Sequence, residues 1–167
     1  GASCQLIGVY APEYVPIVAE AAHMLGIRKV MVVHGLDGID EISVSARTHA
    51  VTIGEDGTMH EQTIDPAELG VRGHSISDLA GGDADDNSQI ARDILSGGGP
   101  PAVRDAVALN AGAALSVYGV ASDLADGVAR VRAAMDDGTL ARFVDEIVAG
   151  SQKLAERAAR EAAEGAA

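Results

Sequence analysis

The sequence predicts an α/β fold: a parallel or mixed sheet carrying a β-hairpin, followed by several C-terminal helices. Three observations predict it. Two continuous apolar runs near the start flank a segment with helical periodicity. Two further runs flank Gly54-Glu55-Asp56-Gly57, a hairpin signal. From residue 84 onward the helical pattern breaks only at Gly, Pro or Asp-Gly punctuation.

Residues 5–10 (Gln5-Leu6-Ile7-Gly8-Val9-Tyr10) form a short apolar run closed by Ala11-Pro12, which reads as a buried strand. From Glu13 to Leu25, Val15, Val18, Ala19, Ala22 and Leu25 recur at helical spacing, and Gly26 stands where a C′ glycine belongs. Residues 29–34 are a second, β-branched run, so the three segments make a βαβ unit with parallel strands, covered on both faces. Residues 48–53 and 58–64 are the arms of the hairpin. Asp65-Pro66-Ala67-Glu68-Leu69-Gly70 reads as one capped helical turn. After a polar stretch at 71–82, helices are expected at about 84–96, 101–118, 122–136 and 139–160, separated by Gly97-Gly98-Gly99-Pro100, Gly119 and Asp137-Gly138. The expected domain spans 1–154, with 155–167 a helical or frayed, solvated acidic tail.

At 167 residues the chain has the length of one domain. Twelve Lys+Arg against 25 Asp+Glu give a formal charge of −13, which argues against a nucleic-acid surface and against recruitment to anionic lipid. A hydrophobic content of 47% and mean hydropathy of +0.14 exclude a disordered acidic chain. Aromatic residues make up only 2%, so stacked-aromatic binding platforms are not expected. The single cysteine, Cys4, allows no internal disulfide and fits a reducing compartment; no neighbour activates it. No 18-residue apolar run offers a membrane span, and Gly1-Ala2-Ser3 is not a signal peptide.

The stretch from His34 to Ser43 carries the most chemistry. It leaves the carboxyl end of a parallel strand, where open α/β sheets place ligands. It holds Asp37, Asp40 and Glu41 within five positions. Adjacent carboxylates raise each other's pKa, a cost that a hard divalent cation such as Mg²⁺ removes. The alternative is a solvated acidic turn. Gly81-Gly82-Asp83-Ala84-Asp85-Asp86-Asn87 could suggest a phosphate cradle, but three aspartates would repel a phosphate and instead read as an N-cap and first turn. An EF-hand is excluded, since the twelfth position from Asp83 is Ile94. Asn110, mid-helix among apolar residues, reads as a structural hydrogen-bond hub. The five histidines have no zinc spacing, and no nucleophile elbow is present.

Taken in order, Gln5-Leu6-Ile7-Gly8-Val9-Tyr10, Val32-Val33-His34-Gly35, Asp37-Gly38-Ile39-Asp40-Glu41-Ile42-Ser43, Gly81-Gly82-Asp83-Ala84 with Asn87, Ile94-Leu95 with Gly97, and Arg104-Asp105-Ala106-Val107 with Leu109-Asn110-Ala111 resemble the C-terminal half of the anthranilate phosphoribosyltransferases. The resemblance runs from about Gln5 to about Leu154. It implies a nucleoside phosphorylase/phosphoribosyltransferase-like C-terminal domain, the α/β part of an enzyme that also has a small helical domain and works as a homodimer. It implies phosphoribosyl transfer from phosphoribosyl pyrophosphate to anthranilate in tryptophan biosynthesis, in the cytoplasm. It assigns Mg²⁺ as cofactor to Asp40 and Glu41, which match the family's Asp-Glu pair. No catalytic side chain is singled out, and substrate-binding residues stay unassigned. The family's phosphoribosyl-pyrophosphate loop and anthranilate contacts precede the matched region, so this chain alone is expected to be an incomplete, inactive half-site lacking the N-terminal half. Two other readings stay open: a pyrimidine nucleoside phosphorylase-like enzyme, and a non-catalytic binding or structural domain of the same fold.

Overall fold

The computed structural model describes residues 2–165; Gly1 and the last two residues of the expected tail, 166–167, lie outside the described residues. Strand β1 (Cys4–Gly8), helix α1 (Tyr14–Met24) and strand β2 (Lys29–Gly35) form the βαβ unit, with β1 and β2 parallel and Leu6 opposite Met31. Strands β3 (Thr48–Ile53) and β4 (Met59–Ile64) form the hairpin, and β3 pairs antiparallel with β2. The order β1-β2-β3-β4 makes the sheet mixed. Helices α2 (Ala84–Leu95), α3 (Pro101–Tyr118), α4 (Leu124–Asp136) and α5 (Thr139–Gly165) follow.

Side chains alternate across a strand, so β2 feeds two cores. Val30 and Val32 pack with Val15, Ala19 and Val51 beneath α1. Met31 and Val33 pack with Ala108, Leu109, Ala113 and Val128 on the α3–α4 side. Every residue from Val30 to Gly35 is buried, which is why β2 reads as an unbroken apolar run. At the other extreme β4 buries only Ile64 and lines an open sheet edge with His60, Glu61, Gln62 and Thr63, polar groups that discourage further pairing.

Local chemistry fixes the element ends. Gly26, at φ +92°, completes a Schellman closure of α1: its N–H donates to His23 O at 2.9 Å, and Ile27 N–H donates to Ala22 O at 3.1 Å. In the hairpin turn Asp56 accepts from Thr58 N–H at 3.0 Å, and Gly57 takes φ +75°. Asp83 caps α2 by accepting from the Asp85 and Asp86 amides at 3.0 Å, and Asn87 bonds both the N–H and the carbonyl of Gly82. The glycine-aspartate run therefore serves a helix start.

Beyond the sheet, one detail differs from the sequence-based expectation. The polar stretch 71–82 contains a short 3₁₀ turn, Ile76–Leu79, organised by reciprocal Ser75 and Asp78 bonds and too brief to show a period. Helix α5 runs unbroken past position 154, and residues 151–163 are all exposed. Helices α3 and α4 cross with their backbones in contact at Gly112 and Gly127, where a Cβ on either glycine would strike the other helix.

Candidate functional site

Strands β1 and β2 end side by side, and the loop from Leu36 to Arg47 folds back over those ends. Leu36 N–H donates to Arg47 O at 2.8 Å and closes the loop at its base. Inside it, Gly35 N–H donates to Ile39 O at 2.9 Å and Gly38 N–H to Gly35 O at 2.8 Å; Gly38 takes φ +99°. The two strand ends are joined by His34, which is buried and donates Nδ1–H to the Val9 carbonyl at 2.8 Å.

Four braces hold the loop itself. Asp37 turns inward, where its Oδ2 accepts from Ser43 Oγ at 2.7 Å and from Ser45 Oγ, while Oδ1 is buried without a partner. Burial pushes the Asp37 carboxyl up, but the Ser45 and Ser43 hydroxyls and the amides of the turn outweigh it and hold its pKa below the usual value. Ser43 N–H donates to Thr48 Oγ1 at 2.9 Å. Gly8, the last residue of β1, lies directly against the Asp40 carbonyl, with no room for a Cβ. From α3, Asn110 accepts from Ile42 N–H at 2.9 Å and donates to Ile42 O at 3.1 Å.

With the loop so braced, Asp40 and Glu41 stand exposed and adjacent. Neither forms an ion pair with a Lys, Arg or His among the described residues. Burial first, then the neighbouring Asp40 carboxyl, raise the Glu41 pKa above its ordinary value. Among the described residues no group of three or more His, Cys, Asp or Glu side chains converges, so Asp37, third of the carboxylates that the sequence places here, stands apart from the pair. Two clefts open beside it. One, of about 350 Å³, is lined by Glu41, Ile42, Ile76, Leu79 and Asn110. The other, of about 480 Å³, is lined by Asp40, Gly8, Val9, Tyr10, Tyr14 and Val18.

The residue types fit a hard cation. Two carboxylates without a counter-charge supply oxygen donors and net negative charge, and Mg²⁺ commonly takes only one or two protein carboxylates, leaving its other positions to water and phosphate oxygens. Sequence reasoning reached Asp40, Glu41 and the hub character of Asn110. It missed Gly8, whose signal is a glycine placed at the last position of a strand that the structure shows to be a half-buried edge and not the buried strand expected, and the His34–Val9 tie, which no local pattern announces.

Comparison with known proteins places these features in a family. The sequence model described as "Glycosyl transferase family, a/b domain" matches residues 1–141. The anthranilate phosphoribosyltransferase of Desulfatibacillum aliphaticivorans is 43% identical over 153 residues, covering 92% of this chain and 45% of that protein. That of Rubrobacter xylanophilus is 40% identical over 159 residues, covering 95% and 46%. Among solved structures, the anthranilate phosphoribosyltransferase of Thermus thermophilus superposes with a TM-score of 0.77 at 32% identity, covering 85% of this chain and 41% of that one. The Saccharomyces cerevisiae enzyme in complex with PRPP and Mg shares the fold, with a TM-score of 0.74 at 22% identity, covering 84% and 40%. The chain spans less than half the length of the curated relatives it matches. By the match over residues 1–141 and the shared mixed sheet with its helical cover, the chain belongs to the glycosyl transferase family, as its α/β domain.

Proposed function

We propose that this chain supplies the Mg²⁺-binding part of an anthranilate phosphoribosyltransferase, an enzyme that moves the phosphoribosyl group of phosphoribosyl pyrophosphate onto anthranilate in the cytoplasm. The observation that carries the reading is the Asp40-Glu41 pair: two carboxyl groups held together at the mouth of parallel strands without a cation partner among the described residues. Asp40 and Glu41 would hold the ion. When bound, Mg²⁺ would act as Lewis acid and template for the departing pyrophosphate. The chain's own residues do the rest by geometry. Gly8 and Asn110 fix the backbone on either side of the pair, and His34 keeps the two strand ends aligned beneath it. No side chain here is asked to act as nucleophile.

The phosphoribosyl-pyrophosphate loop and the anthranilate contacts lie, on this reading, in the N-terminal half of the family, and the complete enzyme is a homodimer. The faces left uncovered beside the pair suit such a complement. Tyr10 is 74% and Ile17 58% exposed, and β1 is an edge strand with Leu6 and Ile7 only half-buried. We read residues 1–154 as the unit that this complement completes and 155–167 as an appendage.

The test is reconstitution. The N-terminal half of the Desulfatibacillum aliphaticivorans relative is added to this chain, and anthranilate consumption is followed with phosphoribosyl pyrophosphate and Mg²⁺. Turnover is expected from the mixture, from neither part alone, and not after Asp40→Asn/Glu41→Gln. Equal turnover by the double variant, or phosphoribosyl transfer by this chain alone, would overturn the reading.

A further inference from the structure

We propose that Asn110 is a positioning residue that, through Ile42, sets the cation affinity of the Asp40-Glu41 pair; the inference rests on the reading of that pair as a Mg²⁺ site. Asn110 lies in the middle of α3, next to fully buried Leu109, yet its amide is spent on a loop 68 residues away in the sequence. Its Oδ1 accepts from Ile42 N–H at 2.9 Å, and its Nδ2 donates to Ile42 O at 3.1 Å. That pair of bonds is what a neighbouring β-strand would give Ile42. Loop residues 41–44 have no such strand, so one side chain replaces it.

A third bond gives the amide its orientation. Nδ2 also donates to Ala106 O, one helical turn back, at 3.0 Å. Both N–H groups of the amide therefore have an acceptor and its oxygen has a donor, and flipping the amide would break all three bonds. The helix holds the amide, the amide holds Ile42, and Ile42 is covalently bonded to Glu41. On the other side Gly8 packs against the Asp40 carbonyl. The two carboxylates repel, so a loop free to move would let them part. Bracing on both flanks keeps them close enough to chelate one ion, and outer partners of this kind commonly change metal affinity by about 10- to 100-fold.

The experiment titrates the purified chain with Mn²⁺ alone, read by paramagnetic broadening of the loop amides, in the native protein and in Asn110→Ser and Asn110→Asp. Serine is too short to reach Ile42 and adds no charge. Aspartate keeps one acceptor, loses both donors and adds a negative charge. If local charge governed affinity, Asn110→Asp would bind Mn²⁺ more tightly; positioning requires both variants to bind about tenfold more weakly. Amide exchange in the metal-free native protein is a second reading that needs no variant to fold: Ile42 N–H must exchange at least about tenfold more slowly than the amides of Asp40 and Glu41, as a buried, bonded donor does. Unchanged affinity in Asn110→Ser, tighter binding in Asn110→Asp, or an unprotected Ile42 amide overturns the positioning role. Absence of Mn²⁺ binding to the native chain overturns the metal reading itself, with Ile42 protection left to report on the clamp.

Discussion

Replacing Gly8 by alanine should move the functional loop without unfolding the sheet. Gly8 does not use a positive φ, so alanine is conformationally acceptable at that position. The obstacle is the Asp40 carbonyl, which a Cβ would overlap so deeply that the loop must retreat by about a bond length or more. The obstructing group is backbone, so no rotamer change relieves it. Overpacking of this kind costs ~1–3 kcal/mol, against ~0.4–1 kcal/mol gained because alanine restricts the unfolded chain. At mid-range the balance is a loss of about 1.3 kcal/mol, or a Tm lower by about 3–5 °C for a domain of this size. Thermal unfolding followed by circular dichroism measures the loss. An amide correlation spectrum locates it: shifts concentrate at residues 38–43, while α4 and β4 stay in place, and Mn²⁺ broadening of the loop falls. A Tm equal to or above that of the native protein, with the amides of 38–43 unmoved, would refute the packing argument.

Glu41→Gln should stabilise the protein at neutral pH. An acid whose pKa is raised on folding contributes stability that is present below its ordinary value of 4.5 and is lost as pH climbs through the raised folded value, so the native protein carries a penalty at pH 7 that the variant lacks. Tm curves of the two should meet at acidic pH and separate above it; coincidence at pH 7 would contradict the raised value. Gly112→Ala gains helix propensity of about 1 kcal/mol, but its Cβ would lie 2.6 Å from Val128 N, so the α3–α4 crossing must open and the net effect is a lower urea midpoint. A higher midpoint would mean that the helices part freely. Leu109→Ala, at a fully buried position, should cost ~2–5 kcal/mol by urea unfolding, and a loss below ~1 kcal/mol would show that the site collapses around the gap. Deleting residues 155–167 should leave the urea midpoint unchanged, since residues 155–163 are exposed; a marked fall would make the tail part of the folded unit.

Much of this architecture is written in local chemistry. The βαβ unit is legible because β2 is buried on both faces and has no polar position to interrupt the run. The helix ends are legible because Gly26, Asp83 and Gly119 do at their positions what their side chains, or lack of them, allow. Long-range placement is not legible in the same way. Nothing local says that β3 lies inside the sheet against β2, or that β4 takes the edge, because the hairpin pattern is satisfied in either position. The site divides along the same line. Adjacent Asp40 and Glu41 are conspicuous because like charges side by side need a reason. Asp37 carries the same chemistry in the sequence, yet the fold turns it inward onto Ser43 and Ser45. Asn110 shows its need for partners but not that the partner is Ile42.

These observations meet in one energetic relation. The braces on the 36–47 loop come from four separate parts of the fold: the end of β1, the start of β3, the loop's own serines and the middle of α3. None of them neutralises Asp40 or Glu41. The fold holds two carboxyl groups side by side with no counter-charge, and burial first, then the Asp40 charge, raise the Glu41 pKa. A group that binds the folded state and not the unfolded one stabilises it by RT ln(1 + [L]/Kd), so a cation taken by the pair returns to the protein what the repulsion removes. The sign of that exchange separates a binding site from a solvated turn. In a solvated turn, adding Mg²⁺ would change little. In a site, Mg²⁺ raises the Tm of the native protein at pH 7 but not that of Glu41→Gln, because the substitution removes the repulsion and a ligand together.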